Sequence, residues 1–299
     1  MRTSARIGRT RTLAQERTSV YVELTKARIT FMVLLTVALG YVLAPATSAP
    51  YVLLHTLLGA GLSCSGAGAL NQYIEREHDA VMARTRFRPL PAKKVSPSTV
   101  LLLGCILAVG GFSYLLVTTN AITAALDGLT LISYLFVYTP LKRVSSLCTL
   151  AGAIPGALPP VMGWAAASGH VEAGALVLFG IVFFWQIPHF LAIGQMYRED
   201  YEHGGFPMLV VVDRDGEIVG KQMVLYSAAL LPFSLSLSLL GIAGPMYFAA
   251  AFLLGTGYIV YACLAATRKD RPSARNLLLV SVLYLPLLFS ALLLDSVIR

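Results

Sequence analysis

The stretch NQYIEREHDAVMARTRFRPLP, residues 71–91, gathers acids, bases and an amide in a chain otherwise composed largely of apolar runs. Ionisable groups at or inside a membrane are costly to desolvate, and they generally serve a function or pair with one another. An apolar run long enough to cross a bilayer ends at the start of this stretch, and further runs follow it. We therefore expect it to form the polar centre of a membrane protein, around which the spanning helices are arranged.

The composition is that of an integral membrane protein. Of the 299 residues, 57% are hydrophobic and 13% are charged, whereas roughly a quarter of the residues in a soluble domain are charged. We predict one membrane domain, residues 25–299, preceded by a basic cytoplasmic tail, residues 1–24, whose first dozen residues are expected to be disordered. The net charge of +8 lies at the ends of apolar runs, so no nucleic-acid partner is expected.

Nine apolar runs have the length of a spanning helix. Their residues do not alternate in the way that the strands of a membrane β-barrel require. The predicted fold is therefore an all-α bundle of about nine transmembrane helices. The runs cover residues 29–46, 51–72, 98–118, 120–139, 147–166, 172–195, 221–241, 245–266 and 276–295.

The basic residues predict the orientation of this bundle. Of the 23 Lys and Arg residues, all but Arg299 fall in the tail or in the connections on one side. The opposite connections, residues 44–50, 118–120, 167–171 and 241–245, contain none. The positive-inside rule then places the N-terminus in the cytoplasm and the C-terminus outside.

Asn71, Glu75 and Asp79 are spaced four residues apart, so they share one face if the second span continues as a helix beyond residue 72. Mg²⁺ is commonly held by one or two carboxylates together with substrate phosphates. This stripe therefore predicts a magnesium site at the end of the helix. The alternative is a solvated loop with ion pairs inside one helix.

Basic residues follow the stripe directly. Guanidinium groups bind phosphate oxygens through paired hydrogen bonds, so acids followed by bases indicate a diphosphate site. A second acidic cluster, YREDYEH at residues 197–203, and Lys142 and Arg143 fall on the same predicted side. Carboxylates from two helices could hold metal ions on one diphosphate.

Five segments match, in order, the signatures of one known family. They are NQY with Glu75, Asp79, Met82 and RTRFRPL (71–90), YTPLKR (138–143), GALPP with GW (156–164), WQIPHF (185–190), and DY with GFPML (200–209). From about Thr25 to Asp295 the chain resembles the UbiA superfamily of intramembrane prenyltransferases, and within it the branch that farnesylates haem. Glu75 stands where that family usually has Asp. Val210 replaces an expected proline, and we interpret Asp213 and Asp215 as turn residues.

The resemblance implies transfer of a farnesyl group from farnesyl diphosphate to a vinyl group of haem B, with water added, to give haem O. It implies Mg²⁺ as cofactor, and the lipid bilayer and a downstream haem A synthase as further partners. The expected location is a membrane crossed several times, which in a prokaryotic cell is the inner (cytoplasmic) membrane, with the active site facing the cytoplasm. The candidate residues are Asn71, Glu75, Asp79 and Asp200 for catalysis, the last three also for the metal, and Arg84, Arg86, Arg88, Lys142, Arg143 and Arg198 for diphosphate.

Two polar residues lie inside predicted spans. His189 is a candidate haem contact, as an axial ligand or a partner of a propionate, or else a packing residue bonded to a neighbour. Asp127 must be protonated or paired, and the sequence names no partner for it. The four cysteines lie singly in apolar runs, which favours packing over a disulfide or zinc site.

Three other functions are alternatives for this sequence. A sister enzyme would use the same chemistry on a quinone precursor or another tetrapyrrole. A transporter would place its ionisable groups near the middle of the membrane, whereas here nearly all lie at one surface. An assembly factor for haem-copper oxidase would not need both acidic clusters.

Overall fold

The computed structural model describes residues 13–45 and 48–298, and this part of the chain is helical without a β-strand. The predicted disorder of the first dozen residues lies outside the described residues. Six residues of π-helix, Ser133–Tyr138, join α5 to α6. The helices are α1 Leu13–Leu24, α2 Ala27–Leu43, α3 Tyr51–Val81, α4 Pro97–Thr118, α5 Ala121–Ile132, α6 Thr139–Leu141, α7 Cys148–Ser168, α8 Ala173–Met196, α9 Arg198–His203, α10 Leu209–Val212, α11 Glu217–Leu239, α12 Pro245–Arg268 and α13 Arg271–Ile298.

Eight of the described helical segments are long and apolar enough to cross a membrane: α3, α4, α5 continued through α6, α7, α8, α11, α12 and α13. The bent pair formed by α1 and α2 makes a ninth if it is counted as one span, with an angle of 51° at the break. The predicted all-α membrane bundle is therefore confirmed, and its first span is bent.

Helix α3 is longer than the apolar run that predicted it. Its 31 residues end at Val81, nine residues beyond the predicted end. At 1.5 Å per residue such a helix measures roughly 46 Å, more than the roughly 30 Å of a bilayer's hydrocarbon core. The continuation that the polar stripe requires is therefore present.

Glycines let α3 and α4 pack closely. A Cβ at Gly66 would collide with the backbone of Ala108, and one at Gly111 would lie 2.5 Å from the backbone nitrogen of Ser63. Small residues at a helix interface allow this approach in membranes. On the same helix, Ser63 Oγ donates to Oδ2 of Asp127 on α5 at 2.6 Å, so this buried carboxylate has a hydrogen-bond donor.

The break between α1 and α2 turns a basic residue inward. Lys26 has a left-handed backbone, with φ at +49°, which is uncommon outside glycine. The side-chain amide of Gln72 on α3 donates to the carbonyl oxygens of Glu23 and Leu24, at 3.0 and 3.2 Å. The second half of the segment predicted as a tail therefore forms a helix whose end is anchored on α3.

The C-terminal helix holds the start of its neighbour. The Asp295 carboxylate, on α13, accepts hydrogen bonds from the backbone nitrogens of Gly244, at 2.5 Å, and Tyr247, at 3.2 Å. These amides at the start of α12 have no partner within that helix. Asp295 therefore caps α12 from a position 51 residues away in sequence.

Candidate active site

The polar stripe of α3 lies inside the bundle. Asn71, Glu75 and Asp79 are exposed by only 2%, 4% and 1%. Burial of two carboxylates is unfavourable unless charges or hydrogen bonds compensate them. The stripe is consequently found with cations around it.

Each stripe residue is paired with a cation from a different part of the chain. The Lys26 ammonium lies 2.7 Å from Asn71 Oδ1. The Lys142 ammonium lies 2.7 Å from Glu75 Oε1. The nearest nitrogens and oxygens of Arg88 and Asp79 are also 2.7 Å apart. The stripe residues therefore bind cations from outside α3, and not cations of the same helix as in a solvated loop with intrahelical ion pairs.

Lys142 follows α6 and lies in an enclosed position. Its ammonium is 5.5 Å from the ring centroid of Tyr138 and 5.3 Å from that of Phe206. Burial by itself lowers the pKa of Lys142, but the acidic groups of Tyr138 and Glu75 outweigh burial and raise that pKa above its ordinary value. Lys142 is therefore a fixed positive charge in the site at neutral pH.

Lys26 belongs to the site, although the sequence indicated only that it marks the cytoplasmic side of the membrane. Besides Asn71, its ammonium binds the hydroxyl of Tyr134 at 3.1 Å. The Asn71 amide in turn donates to Thr139 Oγ1 at 3.1 Å. The sequence feature that could have indicated this role is the position of Lys26 just before the first apolar run. Many basic residues that only mark the cytoplasmic side have the same position.

The donor set fits a magnesium ion at Asp79. One carboxylate oxygen, Oδ2, is bound by Arg88, whereas Oδ1 is buried without a hydrogen-bond partner. In the described part of the chain no three His, Cys, Asp or Glu residues are close enough to hold a metal together. A magnesium ion at Asp79 would therefore keep water ligands and bind phosphate oxygens of a substrate.

Arg84 joins the two acidic clusters. Its guanidinium donates to the Tyr201 hydroxyl at 2.7 Å and lies 5.2 and 4.8 Å from the ring centroids of Tyr197 and Tyr201. The end of α8 and helix α9 are thereby held against the segment that follows α3. The segment that carries the second acidic cluster is thus linked to the end of the stripe helix through an arginine and two tyrosines.

Besides Arg84, four predicted residues bind none of the three stripe side chains. Arg86 is exposed and lies over the ring of Phe87. Arg143 donates to the carbonyl oxygen of Ile74 at 2.6 Å, and Arg198 to that of Arg214 at 3.4 Å. Asp200 is half-buried in the first turn of α9, where its carboxylate makes no hydrogen bond within the described residues.

His189 lies in a polar group shared by α8, α12 and α13. Its Nδ1 is 2.7 Å from Ser281 Oγ, and its ring stacks on Trp185 with centroids 5.0 Å apart. The Trp185 indole donates to the Ser281 carbonyl at 2.8 Å, and the Tyr258 hydroxyl donates to the Trp185 carbonyl at 2.9 Å. The imidazole plane is therefore held on two sides.

The comparison with known sequences identifies relatives along most of the chain. Residues 33–291 match the model of the UbiA prenyltransferase family. The chain is 44% identical over 289 residues to the protoheme IX farnesyltransferase of Koribacter versatilis, covering 93% of each chain. It is 43% identical over 285 residues to the protein of the same name from Solibacter usitatus, covering 92% of this chain and 98% of that one.

Solved structures support the fold. A digeranylgeranylglyceryl phosphate synthase superposes with a TM-score of 0.81 at 14% identity, over 95% of this chain and all of that one. A UbiA homologue from Archaeoglobus fulgidus bound to GPP and Mg²⁺ superposes with a TM-score of 0.66 at 15% identity, over 91% and 99%. The resemblance found in the sequence is confirmed, and the chain belongs to the UbiA prenyltransferase family.

Proposed function

We propose that this protein transfers the farnesyl group of farnesyl diphosphate to a vinyl group of haem B and so produces haem O. The observation that carries the proposal is the buried acidic stripe, in which Asp79 Oδ1 is left without a hydrogen-bond partner and three cations lie against Asn71, Glu75 and Asp79. The name shared by the relatives supports farnesyl diphosphate and haem as the substrates.

The site residues favour departure of the diphosphate. Mg²⁺, held by Asp79 and Glu75 beside Asn71, would supply positive charge to the leaving group. Lys142 and Arg88 bind the diphosphate oxygens and stabilise the charge that develops when the bond between C1 and oxygen breaks. The terminal vinyl carbon of haem attacks C1. Water then adds to the carbon beside the porphyrin ring and loses a proton, which completes haem O.

We infer that His189 is an axial ligand of the haem iron rather than a partner of a propionate. The Ser281 hydroxyl donates its proton to the carbonyl oxygen of Leu278 at 2.6 Å. Ser281 Oγ therefore accepts from His189 Nδ1, which must carry the ring proton. Nε2 of the neutral ring then holds a lone pair, which suits iron and not a negatively charged propionate.

The depth of His189 in the bundle suits this role. His189 lies seven residues before the end of α8 at Met196, and Glu75 lies six residues before the end of α3 at Val81. At 1.5 Å per residue each is roughly 10 Å inside its helix end. The hydrogen bond of Arg84 to Tyr201 ties these ends together, so haem on His189 would lie level with the acidic stripe.

The site is proposed to face the cytoplasm, with the protein in the cytoplasmic membrane of a prokaryotic cell. The basis is the positive-inside distribution of Lys and Arg. A cytoplasmic site is accessible to farnesyl diphosphate, which carries too much charge to cross the bilayer unaided.

The acceptor is tested by offering purified protein farnesyl diphosphate and Mg²⁺ with either haem B or a hydroxybenzoate. We expect prenylated haem and no prenylated benzoate by chromatography and mass spectrometry. Alkylation of the benzoate alone would assign the chain to the sister activity on quinone precursors.

A further inference from the structure

We propose that metal and diphosphate bind this protein as a coupled pair, because its own cations hold the metal ligands until a diphosphate draws them away. This inference rests on the proposed function, since it concerns the order of events in the same site. It assigns Lys142 and Arg88 two alternating partners: the α3 stripe without substrate and the diphosphate with it.

Cations occupy the metal ligands in the substrate-free site. A metal that approaches Glu75 or Asp79 meets oxygens already bound at 2.7 Å by Lys142 and Arg88. Both carboxylates are almost fully buried, so water cannot replace a departing cation easily. The other oxygen of Asp79, Oδ1, is buried without a partner, and the Lys142 contact engages only Oε1 of Glu75. Each carboxylate thus has one oxygen held by a cation, so a lone metal ion meets a positive charge beside either ligand and must displace a cation to gain both oxygens of one carboxylate.

The net charge of the site also couples the two ligands. The carboxylates of Glu75 and Asp79 face the cations of Lys26, Lys142 and Arg88, which leaves the substrate-free site with one net positive charge. A lone Mg²⁺ would raise this charge to about plus three, and a lone prenyl diphosphate would change it to about minus two. The two together bring the site close to neutral. Since uncompensated buried charge is strongly unfavourable, each ligand improves the site for the other.

Two of the three cations have side chains that can change partner. Lys142 carries a flexible four-carbon stem, and the side chain of Arg88 is 27% exposed. Arg88 also lies in the segment that follows α3, outside the helix itself. Both groups can therefore turn from a carboxylate to a phosphate without a change in the bundle. Lys26 differs, because its stem packs over Gly68, where an added Cβ would lie 3.4 Å from Lys26 Cγ, and because its backbone is fixed at the break between α1 and α2.

Linkage makes the prediction reciprocal: the factor by which diphosphate raises metal affinity equals the factor by which metal raises diphosphate affinity. We expect a factor of about ten or more, in the usual range of coupling between two sites. The probes are Mn²⁺, whose free ion is measured by electron paramagnetic resonance, and farnesyl thiolodiphosphate, whose carbon-sulfur bond resists cleavage. Titrations of the purified full chain in detergent, with each probe alone and with both, give all four affinities.

The decisive variant is Lys142→Met, which frees Glu75. It should bind Mn²⁺ alone more tightly than the wild type, because no ammonium competes for the carboxylate, and its coupling factor should fall towards one. Lys142→Arg should keep the coupling. Lys221→Met is the matched control, because Lys221 pairs with Glu217 on an exposed surface, and it should behave as the wild type. Circular dichroism and gel filtration establish that each variant is folded.

Two results would overturn the proposal: wild-type affinities for Mn²⁺ that agree within twofold with and without the diphosphate analogue, or a folded Lys142→Met protein that binds Mn²⁺ alone more weakly. Either could occur in a protein that still makes haem O. Conversely, intact coupling without prenylated haem would leave this inference standing and remove the proposed acceptor.

Discussion

The ammonium of Lys142 and the carboxylate of Glu75 are 2.7 Å apart, although 67 positions separate them in sequence. Lys142 follows a segment of π-helix and a single turn of α-helix, and Glu75 lies near the end of α3. The pair joins the helix that carries the acidic stripe to the connection after the fourth predicted span. It shows why the stripe can be buried: its charges are balanced by residues from elsewhere in the fold.

The raised pKa of Lys142 predicts a pH profile. A lysine whose pKa is raised by folding is protonated at every pH below its ordinary pKa of 10.5, and its full contribution to stability is present there. The proton and the stabilisation are lost only as the pH rises through the pKa of the folded state. The kcat/KM of the wild type should therefore show no loss from Lys142 between pH 7 and about pH 9.5. A one-proton decline within that interval that is absent from Lys142→Arg would contradict the assignment.

The proposed haem ligand predicts a spectroscopic change. His189→Met should alter the Soret band and the electron paramagnetic resonance spectrum of ferric haem bound to the protein. Ser281→Ala removes the acceptor that orients the imidazole, so we expect haem affinity to fall by about tenfold to a hundredfold, as for other outer-shell partners. An unchanged spectrum in folded His189→Met would leave the residue as a packing histidine.

The cap provided by Asp295 predicts a change in stability. Asp295→Ala leaves two amides at the start of α12 without their acceptor, so the free energy of unfolding should fall by about 1–3 kcal/mol. Thermal unfolding in detergent measures this. Asp215→Ala, at an exposed position, is the control and should unfold at the wild-type temperature. Equal midpoints for both variants would show that the cap adds no stability.

The acidic stripe could be predicted because its cause is local. Residues four apart share a helix face, and the helix needed only to continue beyond residue 72. The cations that bind the stripe could not be assigned in the same way. Lys26 is brought to Asn71 by a left-handed residue at a helix break, which no periodicity reveals.

The contacts of the second cluster were less predictable from the sequence. Arg198 was predicted as a diphosphate ligand from charge and membrane side, but its guanidinium contacts the carbonyl of Arg214. Charge and side are properties of a short stretch of sequence, whereas the direction of a side chain depends on the turns between α9 and α11. The contact that does unite the clusters, Arg84 with Tyr201, uses a tyrosine hydroxyl that charge counting overlooks.

The most direct measurement of the central claim compares wild type and Asp79→Asn in one assay with haem B, farnesyl diphosphate and Mg²⁺. The substitution keeps the shape of the side chain and removes the charge that holds the metal. We predict haem O from the wild type and a rate lower by at least about a hundredfold from the variant, a loss typical of removing one group that stabilises developing charge. Both proteins should bind haem with the same Soret band. Comparable rates of haem O formation in the two proteins would contradict the account.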